Sequence, residues 1–172
     1  MTRLQFSLRA ACHADAKTLS ALATQVWLHT YATDGVSPMI ADYVLGALNP
    51  TQFADLLKDP ETHIVVAAQG DHLRGFATVR RNMPCPGGLP VQVELQTLYV
   101  QTHSIGKGVG SGLLQHVAAW ARAQAGSALW LTVNAQNQRA IDFYVAHGYR
   151  QQGTSVFMLG GVGHENHVMV GP

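Results

Sequence analysis

The feature that most constrains the fold of this sequence is a run of glycines between a strand pattern and a helix pattern. Four glycines occupy alternate positions within residues 106–112. They follow the apolar, β-branched segment 91–100 and lead into 108–123, where apolar residues recur at three- and four-residue spacing. Glycine lets backbone N–H groups approach a ligand closely, and a helix N-terminus attracts negative charge. The run therefore predicts a strand, a turn that binds phosphate, and a helix.

The surrounding residues narrow the kind of phosphate ligand. Lys107 is not followed by Ser or Thr, as the P-loop of nucleotide-binding proteins requires. The dinucleotide fingerprint needs a third glycine where Ser111 or Leu113 stands, and an acidic residue about 20 positions further on, and neither is present. No Asp or Glu lies between Glu94 and Asp142, which suits a cofactor that carries several negative charges.

A second pattern lies further along the chain, in a predicted helix at 137–147. Asn137, Ala140 and Tyr144 share one face of that helix, and Gly148-Tyr149 ends it. A polar cap, a small residue and a phenol along one line could form the wall of a cofactor site. Taken alone, the same residues also fit an ordinary helix cap, a core alanine and a core tyrosine.

Together the two patterns resemble the GNAT acetyltransferase superfamily. Its phosphate loop, Arg/Gln-x-x-Gly-x-Gly/Ala, is present here as Ile105 to Gly110, after a strand that ends at Val100. Its downstream motif, Asn-x-x-Ala-x-x-x-Tyr-x-x-x-Gly-Phe/Tyr, corresponds to Asn137 to Tyr149. One position departs from the family: Ile105 replaces the usual Arg or Gln, so a side-chain contact to phosphate is missing and affinity for the cofactor could be lower.

The resemblance covers nearly the whole chain and implies one domain over residues 1–172. It implies an α/β (α+β) fold: a mixed, mostly antiparallel sheet flanked by helices, with a central parallel pair of strands that splay apart. The periodicities agree with this order of elements. They predict strands at 4–8, 63–68, 73–80, 91–100, 128–133, 156–159 and 168–170, and helices from residue 15, at 39–48, 108–123 and 137–147.

By resemblance the chain is an N-acetyltransferase that binds acetyl-CoA and moves the acetyl group directly to a primary amine. Tyr144 matches the family's general acid. Glu94 is the only acid on the central strand, its side chain shares a face with Gln96, and a positioned carboxylate can deprotonate the amine. The residues that the resemblance implies for acetyl-CoA binding are Leu98, Tyr99, Val100, Ile105, Gly106, Lys107, Gly108, Val109, Gly110, Ser111, Asn137, Ala140 and Tyr144.

The acceptor and two rival functions stay open. The acceptor is a small molecule such as a polyamine, or a peptide amine; residues 156–160 resemble the bacterial branch that includes polyamine acetyltransferases. Polyamines favour several carboxylates, yet Asp34 and Asp42 are the nearest candidates. Trp27 and Tyr31 fit either core packing or the acceptor pocket. The rivals are a non-catalytic acyl-CoA-binding or sensing domain and an enzyme that uses a longer acyl donor.

Composition excludes other classes of protein. A formal net charge of +1 and 12% charged residues argue against binding to nucleic acid. No segment has the features of an export signal or a membrane span, so we expect a cytoplasmic protein. The resemblance implies a monomer or a homodimer. Cys12 and Cys85 are expected to be free thiols. Residues 164–167, His-Glu-Asn-His, are expected to form a solvated loop without a metal.

Overall fold

The computed structural model describes residues 5–172, and its helices and strands follow the predicted order. The predicted first strand begins at Leu4, which lies outside the described residues, and the observed β1 starts later, at Ser7. The strands are β1 (Ser7–Ala10), β2 (Thr62–Gln69), β3 (His72–Arg80), β4 (Val93–Val100), β5 (Leu129–Asn134), β6 (Arg150–Leu159) and β7 (Val162–Val170). The helices are α1 (Ala16–Tyr31), α2 (Pro38–Ala47), α3 (Pro50–Leu56), α4 (Val109–Ala125) and α5 (Gln138–Ala146), with 3-10 turns at His13–Asp15 and Thr102–Ser104.

Side-chain caps and prolines determine where α2 and α3 begin. The Ser37 side chain accepts a hydrogen bond from the N–H of Ile40 at 3.3 Å, and Pro38 follows as the first residue of α2. Asn49 caps α3 in the same way, and Pro50 follows it. Proline is favoured at this position because the N–H it lacks would have no helical acceptor there. One helix therefore ends at Ala47, and the next begins at Pro50.

The strands form one seven-stranded sheet in the order β1-β2-β3-β4-β5-β7-β6. β4 and β5 run parallel, whereas β1 with β2, β5 with β7, and β6 with β7 are antiparallel. The parallel register joins Val93 to Leu129 and Glu94 to Trp130, while β4 continues to Val100. The predicted mixed, mostly antiparallel α/β fold is confirmed.

The chain forms two compact units, one of residues up to Thr78 with Thr97–Val117, the other of Val79–Gln96 with Ala118–Pro172. In the first, the apolar face of α1 packs on β2 and β3 through residues such as Leu19, Val66 and Phe76. In the second, Trp130 lies in a cluster with Cys85 and Val168, and its indole N–H donates to the carbonyl of Met83 at 2.8 Å.

The segment 164–167 is part of a strand. The prediction of a loop at residues 164–167 is wrong, because these residues lie within β7 and pair with β6. Successive side chains of a strand point to opposite faces, so His164 and His167 do not share one. Within residues 5–172, no helix is long and apolar enough to cross a membrane.

Candidate functional site

The glycine run forms the turn between β4 and α4, as the sequence predicted. Gly106 has φ of 75° and Gly108 has φ of 88°, in the left-handed region that costs an L-residue energy. The first hydrogen bond of α4 joins the N–H of Gly112 to the carbonyl of Gly108 at 3.0 Å. The N–H groups of Val109 and Gly110 come before it and have no acceptor within the helix. The turn therefore presents backbone donors and the positive end of a 17-residue helix to an anion.

A buried serine holds the start of this turn. Ser104 is only 2% exposed, and its N–H and hydroxyl donate to the carbonyl and the side-chain oxygen of Gln101 at 2.7 and 3.0 Å. The N–H of Gln101 in turn donates to the carbonyl of Arg74, on β3, at 2.9 Å. These bonds tie the turn to the sheet. Ile105 is half-buried, whereas Lys107 is exposed and available to a phosphate.

A feature that sequence reasoning missed brings β3, β4 and α4 together. Gly75 is buried in β3, and a Cβ added there would lie 2.7 Å from the carbonyl oxygen of Tyr99 and 3.1 Å from Cγ1 of Val109. The absence of a side chain therefore lets the end of β4 and the first turn of α4 approach β3 closely. A glycine inside a strand pattern is the signal that could have indicated this contact.

At the end of β4, side chains alternate between the core under α1 and the opposite face of the strand. The ring of Tyr99 packs edge-on against Phe76 at a centroid distance of 5.6 Å, and joins the core under α1. Leu98 and Val100 alternate with Tyr99 and point to the other face of the strand. Of the predicted residues 98–100, Tyr99 therefore directs its side chain to the core, and Leu98 and Val100 direct theirs to the other face of the strand.

Glu94 lies in the other unit, near the start of β4. Its carboxylate accepts a hydrogen bond from the side-chain amide of Gln96 at 3.1 Å, which agrees with the predicted shared face. Burial raises the pKa of Glu94 above its ordinary value, against the opposing effects of the Gln96 hydrogen bond and of attraction to Arg80. A half-buried carboxylate with a raised pKa is better matched to accept a proton near neutral pH than a solvated one.

The second motif forms α5 and the turn that follows it. Asn137 caps the helix, and its side-chain oxygen accepts a hydrogen bond from the N–H of Ala140 at 3.2 Å. Asn137 is therefore an ordinary helix cap in this structure. Tyr144 is 8% exposed and packs against Phe143 and Tyr149 at centroid distances of 5.3 and 5.6 Å. Burial raises the pKa of Tyr149 to about 12.

The structure thus groups the predicted site residues into two sets. Leu98 to Val100 and the turn at 105–111 belong to the first unit, whereas Glu94, Asn137, Ala140 and Tyr144 belong to the second. Among the residues that the structure describes, no group of three His, Cys, Asp or Glu side chains could hold a metal ion.

Comparison with known proteins adds independent information. Residues 24–149 match the model described as the acetyltransferase (GNAT) family. An uncharacterised N-acetyltransferase of Mycobacterium bovis is 32% identical over 156 residues, which cover 91% of this chain and 96% of the relative. The N-alpha-acetyltransferase RimI of Mycobacterium tuberculosis is 31% identical over 104 residues, 60% of this chain and 62% of that protein. The crystal structure of the PaiA N-acetyltransferase from Thermoplasma acidophilum, in complex with coenzyme A, has a TM-score of 0.80 at 19% identity and covers 98% of this chain and 99% of its own.

Proposed function

We propose that this chain, which belongs to the acetyltransferase (GNAT) family, acts as a single catalytic domain that moves the acetyl group of acetyl-CoA directly to a primary amine. The family match and the N-acetyltransferase relatives make the chain an acyltransferase. The observation that carries the proposal is the turn at 105–110, where two left-handed glycines precede a long helix. That geometry suits a polyanionic donor such as acetyl-CoA.

Backbone groups supply most of the donor binding in this proposal. The N–H groups of Val109 and Gly110 donate to pyrophosphate oxygens, and the exposed ammonium of Lys107 adds a point charge. Ile105 adds no charge, so binding rests on the backbone and on Lys107. The backbone of residues 98–100 faces the acetyl carbonyl and stabilises the negative charge that develops on its oxygen.

Glu94 serves as the general base. An ammonium has no lone pair, so the amine must lose a proton before its nitrogen attacks the thioester carbonyl carbon. The Glu94 carboxylate takes that proton, directly or through a water molecule. Its raised pKa supports this role, and the hydrogen bond from Gln96 fixes the orientation of the carboxylate.

Tyr144 serves as the general acid. When the carbon–sulfur bond of the thioester breaks, the electron pair goes to sulfur, and the phenol of Tyr144 protonates the thiolate of coenzyme A. The contacts with Phe143 and Tyr149 hold the Tyr144 ring in one place. The attacking nitrogen loses its second proton to solvent as the amide forms, and the phenolate of Tyr144 is reprotonated from solvent. Because the amine attacks the thioester directly, the enzyme carries no covalent intermediate.

The acceptor in this proposal is a small-molecule amine such as a polyamine, or a peptide amine. Trp27 is 5% exposed and packs against Tyr31 and Tyr43 at centroid distances of 4.8 and 4.7 Å. Of the two interpretations of Trp27, core packing therefore fits better than a place in the acceptor pocket. Tyr31 is 43% exposed and can contact a ligand. Asp34 and Asp42, which follow Tyr31 in the sequence, are exposed carboxylates.

Release of free thiol from acetyl-CoA, measured over a panel of amines, tests the proposal. The panel contains spermidine, amino acids, aminoglycosides and peptides with free N-termini. We expect turnover with one class, and Tyr144→Phe should lower it at least about tenfold with little change in acetyl-CoA affinity, since a phenol used as an acid contributes roughly 10²-fold or more. Tyr149→Phe removes a neighbouring buried phenol and is the matched control.

Three outcomes would contradict parts of the proposal. If acetyl-CoA binds but no amine of the panel is acetylated, the result favours an acyl-CoA-binding or sensing domain, or an acceptor outside the panel. If succinyl-CoA is used faster than acetyl-CoA, the donor is wrong. If Tyr144→Phe and Tyr149→Phe turn over equally fast, Tyr144 is not the acid.

A further inference from the structure

Glu94 and Trp130 lie side by side on neighbouring strands of the second unit. The parallel register of β4 and β5 joins Val93 to Leu129 and Glu94 to Trp130, and within residues 5–172 it joins no residues beyond this pair. Paired residues of adjacent strands direct their side chains to the same face of a sheet, and the two backbones are about 4.8 Å apart. The indole of Trp130 therefore borders the Glu94 carboxylate, at the point where the pairing of the two strands ends.

The loop between β3 and β4 holds the indole of Trp130 in place. The indole N–H donates to the carbonyl of Met83 at 2.8 Å, and the N–H of Met83 donates to the carbonyl of Gln92 at 3.0 Å. Gln92 precedes Glu94 by two residues, so Met83 links the indole to the strand that carries the carboxylate. Trp130 is 5% exposed and packs in a cluster with three buried side chains: Cys85, Val91 and Val168. The loop thus fixes the ring beside Glu94.

Burial raises the pKa of the Glu94 carboxyl, although two polar neighbours favour its charged form. The amide of Gln96 donates to the carboxylate at 3.1 Å, and Arg80, on β3, attracts it. The Cys85 thiol in the loop adds no charge near neutral pH, because its own burial raises its pKa. Trp130 has the largest side chain of the cluster beside Glu94 and carries no charge, so it excludes the most water there.

We propose that Trp130 is a positioning residue for acetyl transfer, whose ring, anchored by Met83, covers one side of the Glu94 carboxylate and leaves the side toward the exposed Gln96 open to the amine. The proposal rests on the proposed role of Glu94 as the general base. A carboxylate that is covered on one side forms fewer hydrogen bonds with water, so it holds a proton more strongly near neutral pH. The ring also keeps the carboxylate oxygens pointing toward the amine nitrogen. Trp130 itself gives and accepts no proton.

Carbon-13 NMR measures the proton affinity of Glu94 without any turnover. The chain has three glutamates: Glu61, Glu94 and Glu165. Glu94→Gln identifies which carboxyl signal belongs to Glu94. In Trp130→Leu the titration midpoint of this signal should fall toward the ordinary value for glutamate, because water reaches the uncovered side. Trp130→Phe keeps an aromatic ring but lacks the N–H that bonds to Met83, so its midpoint should lie between those of Trp130→Leu and the wild type. Trp120→Leu makes the same change on α4 and is the matched control, with an unchanged midpoint.

The pH dependence of the rate shows whether the covered carboxylate is the group that works in catalysis. With an amine that the chain acetylates, Trp130→Leu should lower kcat about tenfold at neutral pH, which is part of the roughly 10²-fold or more that a general base contributes. The acidic limb of the profile should shift to lower pH together with the NMR midpoint. KM for acetyl-CoA should stay unchanged, and Trp120→Leu should keep the wild-type profile. Circular dichroism and thermal unfolding establish that each variant is folded.

Two results would overturn the proposal, and they can be told apart. A Glu94 midpoint that is the same in the wild type and in the folded Trp130 variants would show that the ring does not cover the carboxylate, whether or not acetyl transfer is detected. A midpoint that falls while the pH–rate profile stays in place would mean that Glu94 is not the base. Glu94→Gln separates the two failures, because it slows acetyl transfer in the first case and leaves it unchanged in the second. If Trp130→Leu unfolds, Trp130→Phe decides, since the proposal requires its midpoint to fall as well.

Discussion

Replacing Gly75 with alanine tests how the donor-binding turn is held against the sheet. The new methyl group would lie 2.7 Å from the carbonyl oxygen of Tyr99, 3.1 Å from Cγ1 of Val109 and 3.2 Å from Cδ1 of Leu113. The nearest atom belongs to the backbone of β4, so rotation of a side chain cannot relieve the contact. Either β4 or α4 must move away from β3.

The energetic cost can be estimated from these contacts. Overpacking a buried site costs about 1–3 kcal/mol, and the three close contacts here place Gly75→Ala near the upper end. Alanine also restricts the unfolded chain, which returns about 0.4–1 kcal/mol of stability. The net loss in the free energy of unfolding is about 2 kcal/mol, or roughly 4–8 °C in the unfolding temperature. Because the shift involves the end of β4 and the first turn of α4, acetyl-CoA affinity should fall as well.

Urea unfolding and calorimetric titration with acetyl-CoA measure both effects. Gly46→Ala, on the exposed side of α2, is the matched control, since nothing lies within 4 Å of its added Cβ. It should leave donor affinity unchanged and raise stability by up to about 1 kcal/mol, because alanine favours a helix. A Gly75→Ala protein within about 0.5 kcal/mol of the wild type, with unchanged affinity, would refute the argument that this glycine sets the approach of β3, β4 and α4.

Three further predictions follow from other residues. Glu94→Gln should slow acetyl transfer increasingly as pH falls toward the raised pKa of Glu94, and a parallel pH–rate profile would exclude it as the base. Asp15 accepts two hydrogen bonds from Arg9, at 2.7 and 2.9 Å, and this pairing lowers its pKa to about 2, although its burial acts in the opposite direction. Because the folded-state pKa is depressed, the stabilisation of the folded state by ionised Asp15 is complete above pH 4 and is lost as pH falls toward 2. Asp15→Asn should therefore lower the free energy of unfolding, measured in urea, by about 1–2 kcal/mol at pH 7 and by much less at pH 2. Ile105→Arg restores the family's usual residue and should tighten acetyl-CoA binding about fivefold in calorimetry, a gain of about 1 kcal/mol; an unchanged Kd would mean that a side chain at position 105 does not contact the phosphates.

Local patterns along the chain predicted the order of helices and strands well. A β-branched run predicted the strand at 63–68, alternation predicted the strand at 73–80, and periodicity near 3.6 predicted α1 and α4. The prediction was wrong at 164–167, because His-Glu-Asn-His contains none of the residues that favour strands, which are Val, Ile, Thr, Tyr, Phe and Trp. These residues form a strand because β7 pairs with β5 on one side and with β6 on the other. Tertiary pairing outweighs local propensity in such a segment.

The sequence by itself determined the family, the turn of the donor site and the chemical types of the candidate acid and base. These depend on glycine spacing and on residue identity, which are local properties. Only the tertiary structure decided the electrostatic setting of Glu94 and the role of Gly75. A carboxylate's pKa depends on how much water the neighbouring elements exclude, and the need for a missing Cβ depends on how closely β4 and α4 approach β3. It also decided that Val156, Met158 and Val162, in the outer part of the β6–β7 hairpin, are exposed, because exposure is set by what the rest of the chain leaves uncovered.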